Sequence, residues 1–298
     1  MDKFLKICLA AASISIVLGI IIVAGVAISG KGREVIDVME DGGVYWSENG
    51  FTVGNAVVFG DVEITEANGK EFTYPADEFD NLDIELAAGT FDIMEADVDE
   101  ITIRSTKKVK VSAKGNTLHV ETPKRAHVIS VGNKDVQKVE ITLPKGKEFH
   151  TIDLQVGAGT LVADILKADK LKLELGAGTA EITDCFCETA DIKMAAGEVI
   201  IGNGTVSKLD LDVSMGELQF AGSVREELDA DCGMGSMTLE LSGESSDYNY
   251  TVDCGMGDIT VGDSSFGGMA SSQKIDNNAD IDLDLDCGMG DIEVIFNR

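Results

Sequence analysis

Glycine recurs at a fixed spacing through the middle of this 298-residue chain. Eight glycines each follow a short run of alternating apolar and polar residues, and they are Gly89, Gly159, Gly178, Gly197, Gly216, Gly235, Gly257 and Gly290. From the third to the sixth, each lies 19 residues after the one before, and the last two follow after 22 and 33 residues. A constant period of this length indicates an internal structural repeat.

The residues around each glycine have the periodicity of β-strands. In one copy, Leu173 and Leu175 are apolar and Glu174 between them is polar, and the other copies follow the same pattern. A 19-residue unit of short strands cannot bury its apolar face alone, so each copy must stack on its neighbours about 4.8 Å away. The sequence therefore predicts an all-β fold, a parallel β-solenoid of about 19-residue repeats. A helical-repeat solenoid is the alternative, but no 3.6-residue periodicity supports it.

The repeated glycines are predicted to form the corners between strands. A sharp corner requires either a positive φ or a close backbone approach, and both exclude a Cβ atom. The eight glycines are therefore predicted to have a structural role and no chemical one.

The N-terminal segment differs from the repeats. Lys3 and Lys6 precede an uncharged apolar run over residues 7–28, and 22 helical residues cover a hydrocarbon core of about 30 Å. We predict a retained transmembrane signal anchor over 1–30, a linker and N-terminal cap over 31–78, and a solenoid over 79–298. A cleaved signal peptide is the alternative, because Gly25, Val26 and Ala27 are small enough for a cleavage site. The predicted location is the cell membrane, single-pass, with the C-terminal domain outside the cell.

Charge is distributed unevenly along the chain. The net charge of −29 argues against a nucleic-acid partner, because a phosphate backbone requires a basic surface. From Asp210 to the C-terminus there are twenty acids and three bases, whereas residues 104–147 hold eleven bases and three acids. The basic segment could contact anionic lipid or wall polymer, or the acidic half of a neighbouring molecule, or solvent alone.

Aspartates occupy one position of the C-terminal repeats. Asp212, Asp231, Asp253 and Asp286 each lie four residues before a repeat glycine or its equivalent. Stacked carboxylates repel, so solvent, raised pKa values or a hard cation must relieve them. We predict a solvated acidic face, with a Ca²⁺-binding column as the alternative.

Cysteines occupy a neighbouring position. Cys232, Cys254 and Cys287 replace the Leu, Val or Met of other copies, which predicts that they pack in the core. The alternatives are a Cu(I) site with the methionine two residues later, and a disulfide between rungs.

No cofactor is predicted. Three scattered histidines and no nucleophile or phosphate-binding motif predict that the chain is not an enzyme.

The repeated LxLxhGAGxhxI units, the strand ITLPKG at Ile141–Gly146 and the N-terminal anchor together resemble the bacterial toastrack, or adhesin-like, domain. The resemblance covers about Phe79 to Phe296 and implies a β-solenoid of the cell envelope without a catalytic motif. The predicted function is therefore an adhesin-like interaction or scaffold module, with an envelope polymer or a membrane protein as its partner. The alternatives are an accessory sensor of envelope stress signalling and a carbohydrate-active enzyme of the β-helix type.

Overall fold

A computed structural model describes residues 44–47, 50–53, 56–59, 64–68, 71–123, 137–267 and 271–297. The predicted transmembrane anchor at 1–30 and about half of the predicted linker and N-terminal cap at 31–78 lie outside these residues. Within the described part of the chain, no helix is long and apolar enough to span a membrane.

The described residues form nineteen strands. The first ten are β1 (Val44–Ser47), β2 (Gly50–Val53), β3 (Ala56–Phe59), β4 (Ile64–Asn68), β5 (Glu71–Pro75), β6 (Asn81–Ala96), β7 (Glu100–Ser105), β8 (Lys108–Lys114), β9 (Thr117–Glu121) and β10 (Lys138–Pro144). The rest are β11 (Phe149–Val213), β12 (Gly216–Cys232), β13 (Ser236–Ser242), β14 (Tyr248–Cys254), β15 (Asp258–Val261), β16 (Ser264–Gly267), β17 (Ser271–Ile275), β18 (Ile281–Cys287) and β19 (Asp291–Asn297). Two short 3-10 turns, Ala76–Glu78 and Ser245–Asp247, are the only helical segments among the described residues.

The chain divides into two compact units, residues 1–65 and 66–298. In the first unit, β1, β2 and β3 form a three-stranded antiparallel sheet. The second unit contains all the repeats.

The repeats stack in parallel at the spacing read from the sequence. β11 runs through several repeats, and its last one pairs with β12 so that Gly197 lies beside Gly216 and Val199 beside Leu218. On its other side, β11 pairs with β6, and Gly159 lies beside Gly89. We call each repeat-length layer a rung. The all-β prediction is confirmed for the described residues, and the parallel register gives a β-solenoid-like stack.

One inward position of every rung is fully buried. The residues five positions before the repeat glycine all have an exposed fraction of 0%, and they are Ile84, Leu154, Leu173, Ile192, Leu211, Ala230, Val252 and Leu285. Burying one such leucine side chain contributes about 2 kcal/mol, as an upper estimate. A single repeat is too small to bury its apolar side alone, and the stacked column of equivalent residues supplies the continuous core.

At the C-terminal end, the order of the rungs departs from the order of the sequence. β18 lies between β12 and β14, with Asp286 beside Asp231 on one side and beside Asp253 on the other. β19 is likewise inserted between β13 and β15. The last repeat of the chain is therefore an inner rung, and the repeat before it lies further out.

The N-terminal end of the stack has the same kind of insertion. β6 is the first repeat strand in sequence, yet it pairs with β11 on one side and with β9 and β10 on the other. Antiparallel strands then cover the outer rungs: β7 and β8 at one end, β16 and β17 at the other. Because an exposed strand edge is a template for aggregation, these antiparallel strands protect the parallel rungs.

Candidate functional site

The eight predicted corner glycines lie where successive rungs approach each other. Gly178 has φ +125°, and a Cβ atom there would overlap the backbone oxygen of Gly159 in the adjacent rung. Gly257 has no positive φ, but a Cβ atom there would overlap the backbone oxygen of Gly290. The other six meet backbone oxygens in the same way, and they are Gly89, Gly159, Gly197, Gly216, Gly235 and Gly290.

The structure brings the four predicted aspartates together on one face. Asp212 lies beside Asp231, Asp231 beside Asp286, and Asp286 beside Asp253. A second column two residues earlier contains Asp210, Asp229 and Asp284. We call these seven residues the acidic face. In earlier rungs, Lys172 and Lys193 interrupt the same columns and pair with Glu174 at 2.6 Å and Asp191 at 3.2 Å.

Partial burial and like charges alter the titration of this face. Burial raises the pKa of Asp210, Asp229 and Asp231 above the ordinary aspartate value, and the neighbouring carboxylates add to the shift. Among the described residues, no group of three or more His, Cys, Asp or Glu side chains is arranged to hold a metal ion. The Ca²⁺ column stays the untested alternative to a solvated acidic face, and the repulsion between its carboxylates is the property that the geometry supports.

Asp229→Asn is expected to stabilise the protein at pH 7, raising the melting temperature by about 1–3 °C after allowance for solvent screening. The folded state raises the pKa of Asp229 above its ordinary value of 3.8, so folding favours the protonated carboxyl group over the ionised one. The stability that the protonated group contributes is lost as the pH rises through the folded-state pKa. Thermal unfolding at several pH values should therefore show that the gain disappears below pH 3.8. A gain that is the same at all pH values would show that charge is not its cause.

Methionines form a ridge beside the acidic face. Met215, Met234, Met289 and Met256 precede the corner glycines of four successive rungs, and their exposed fractions are 50%, 54%, 55% and 67%. The backbone N–H of Met289 donates to Gly233, and that of Met256 donates to Gly288, which fixes this rung order. In earlier rungs, the position holds alanine.

The cysteines of the same motifs lie in the core, on the opposite side of the strand from the ridge. Cys232, Cys287 and Cys254 stack in that order, and each is at most 3% exposed. All five described cysteines are free thiols. Burial, with Cys232 nearby, raises the pKa of Cys287 to about 12, so this thiol stays protonated. Since cysteine and methionine lie on opposite sides, Cys-x-Met does not form the Cu(I) site that we considered from the sequence.

Cys254→Val is expected to change stability little, by about 1 kcal/mol or less. The Cys254 thiol donates a hydrogen bond to the Gly257 carbonyl at 2.9 Å, which valine would lose, but valine fills the equivalent core position in other rungs. The free energy of unfolding in urea measures the effect. A loss of several kcal/mol would contradict a packing role.

Some bases of the basic segment form ion pairs with nearby acids. Lys138 contacts Asp92 at 3.0 Å and Glu140 at 2.6 Å, and Arg104 contacts Glu71 at 3.0 Å. Lys124 and Arg125 lie outside the described residues. The described part of this segment therefore contains several local ion pairs, and these reduce its net positive field.

A groove of about 620 Å³, which our sequence analysis missed, lies along β11. Cys187, Phe186, Lys167 and Arg225 are among its lining residues, and Cys185 lies next to Cys187 with 3.6 Å between the two sulfur atoms. The only sequence signal for it is the tripeptide Cys-Phe-Cys at 185–187, which lies between the aligned corner motifs.

The parallel rungs, buried columns and glycine corners define an all-β repeat domain of the β-solenoid-like class. The family model "Toastrack DUF4097" matches residues 79–295, and the chain belongs to this family. The resemblance noted in the sequence is thereby confirmed.

Several solved structures are similar to this chain. A candidate adhesin from Bacteroides fragilis is 16% identical, with 79% of this chain and 97% of that chain covered and a TM-score of 0.39. A candidate adhesin from Parabacteroides distasonis is 13% identical, with 79% and 98% covered and a TM-score of 0.39. A candidate cell adhesion protein from Clostridium sporogenes is 14% identical, with 77% and 100% covered and a TM-score of 0.35. No curated protein matches the chain significantly.

Proposed function

We propose that this chain is a membrane-anchored module of the bacterial cell surface that binds an extended partner through its acidic face. The observation that carries the proposal is the register of that face over four rungs, with Asp212, Asp231, Asp286 and Asp253 side by side. The column repeats one carboxylate at a strand spacing of about 4.8 Å. A surface that repeats in one direction suits a partner that is itself extended and carries cationic groups.

The apolar run at residues 7–28 supports attachment to the membrane, with the repeat domain outside the cell. The partner is an envelope polymer or a segment of a membrane protein, and the net charge of −29 argues against nucleic acid. The proposed activity is binding without catalysis and without a cofactor. Membership of the toastrack family is compatible with this role.

Capture of the full chain on isolated envelope fractions, with and without Ca²⁺, tests the proposal. Changing the four aspartates of the first column to asparagine should reduce capture by about tenfold or more, because it removes the repeated charge. The matched control changes four exposed acids elsewhere to their amides, and they are Asp77, Glu78, Asp97 and Asp99. An equal loss of capture in both variants would show that only the net charge matters, and it would contradict specific binding through the acidic face.

The Ca²⁺ arm of the same experiment tests the calcium column separately. If a hard cation bridges the column and the partner, capture should rise with Ca²⁺ in the unmodified chain and not in the fourfold variant. Capture that is indifferent to Ca²⁺ in the unmodified chain would contradict the calcium hypothesis and leave direct charge recognition.

A further inference from the structure

Two free cysteines next to the groove are placed for chemistry with each other. Cys185 and Cys187 are two residues apart on β11, and alternate residues of a strand point to the same side. Their sulfur atoms are 3.6 Å apart. Cys185 is 1% exposed and belongs to the core, whereas Cys187 is half-buried and lines the groove.

The two thiols differ in acidity. The hydrogen bond between Cys187 and Cys185 lowers the pKa of the Cys187 thiol against the opposing effect of burial, and a backbone hydrogen bond at Ala168 adds to the lowering. The same pairing, together with burial, raises the pKa of Cys185. Since the thiolate is the nucleophile, the accessible cysteine is the one prepared to attack, and the buried one is held as a thiol.

We propose that Cys185 and Cys187 form a thiol–disulfide exchange site that reacts with a low-molecular-weight disulfide bound in the groove. The Cys187 thiolate attacks one sulfur of the disulfide RSSR, forms a mixed disulfide and releases RS⁻. Cys185 then loses its proton and attacks the Cys187 sulfur, which forms the Cys185–Cys187 disulfide and releases the second RS⁻. The two cysteines lose two electrons and two protons, and RSSR is reduced to two RSH.

The second step joins two sulfur atoms that are already in contact. The sulfur atoms must close from 3.6 Å to a bond of about 2.05 Å. A disulfide between alternate residues of one strand departs from the favoured geometry, and strained disulfides are readily reduced. Formation of the Cys185–Cys187 disulfide is therefore reversible, as an exchange site requires.

The charges of the groove indicate which disulfides react. Two bases and four acids line it, and they are Lys167, Arg225, Glu148, Asp169, Asp184 and Glu188. Lys167 also lies 3.6 Å from Glu95. The excess of carboxylates favours a disulfide that carries amino groups, such as cystamine, over one that carries carboxylates.

Incubating the full, native chain with cystamine and mapping its peptides by mass spectrometry tests the exchange. We expect Cys185 and Cys187 to lose two hydrogens together, while Cys232, Cys254 and Cys287 stay unmodified because they are buried. The Cys185→Ser variant should stop at the mixed disulfide on Cys187, and the Cys187→Ser variant should leave Cys185 unmodified. An unreactive Cys187 in the native chain, or a Cys185→Ser variant that forms no stable mixed disulfide, would overturn the proposal.

The role of the groove has its own comparison. Cystamine, neutral 2-hydroxyethyl disulfide and anionic dithiodiglycolate should react in that order, with about tenfold between the first and the last at low salt. The difference should shrink as salt screens the groove. Equal rates for the three at low salt would overturn the groove as the binding surface.

Discussion

Gly178→Ala is expected to destabilise the repeat domain by about 4 kcal/mol, from backbone strain and steric overlap together. Gly178 has φ +125°, which alanine rarely adopts, and the added Cβ would overlap the Gly159 oxygen. Neither atom can move alone, because the oxygen belongs to the backbone of one rung and the Cβ is bonded directly to the backbone of the adjacent rung. The free energy of unfolding in urea, followed by circular dichroism, measures the loss.

Gly115→Ala is the matched control for this prediction. Gly115 also has a positive φ, +58°, but no atom lies within 4 Å of the place that a Cβ atom would occupy. The same substitution should therefore cost only about 1 kcal/mol, from backbone conformation alone. Equal losses at the two glycines would show that φ is sufficient and that close stacking of the corners contributes nothing.

Leu285→Lys is expected to destabilise the domain by about 5 kcal/mol or to prevent folding of the C-terminal rungs. Leu285 is fully buried in the inserted strand β18, between Ala230 of β12 and Val252 of β14. A lysine at an outermost rung could extend its amine past the end of the stack to water, but an inner rung offers no such route. Thermal unfolding of the variant measures the effect.

Asp286→Lys, one residue away, is the control. Asp286 lies on the acidic face between Asp231 and Asp253, so a lysine there would replace repulsion by attraction. We expect the melting temperature to stay the same or to rise. A comparable loss in both variants would contradict the opposite orientation of these neighbours and, with it, the strand register.

Much of the fold could be predicted from the repeat. The 19-residue spacing, the alternation around Leu173 and the glycine at each corner predict parallel strands with one side buried. These features were predictable because the same local requirements apply to every rung. Each rung must bury an apolar side, and each needs a residue without a Cβ atom at its sharp corner. Requirements that are met within each repeat leave a periodic pattern in the sequence, and this pattern predicts the strands.

The order of the rungs at the ends could not be predicted in the same way. The repeats that contain Cys232, Cys254 and Cys287 have equivalent inward and outward residues, so each of them fits beside the others. Their order depends on which strands the connections and the antiparallel caps allow to meet. That choice is a property of the whole stack.

The candidate site was predictable to different degrees. The acidic face was foreseen, because residues at one repeat position must align when the repeats stack. The exposure of Met234 and the pairing of Cys185 with Cys187 were not, since they depend on side-chain direction near a corner and on the shape of a groove.

The sequence alone determined the strands, the buried columns and the charge of the C-terminal face, because each follows from residue type and period. Only the tertiary structure decided that the last repeat lies inside the stack, that cysteine and methionine of one motif lie on opposite sides, and that two thiols meet beside a groove. The physical reason is that periodicity fixes which side a residue of a regular strand faces, whereas side-chain direction at a corner and the neighbours across the stack are set by the packing of the complete chain.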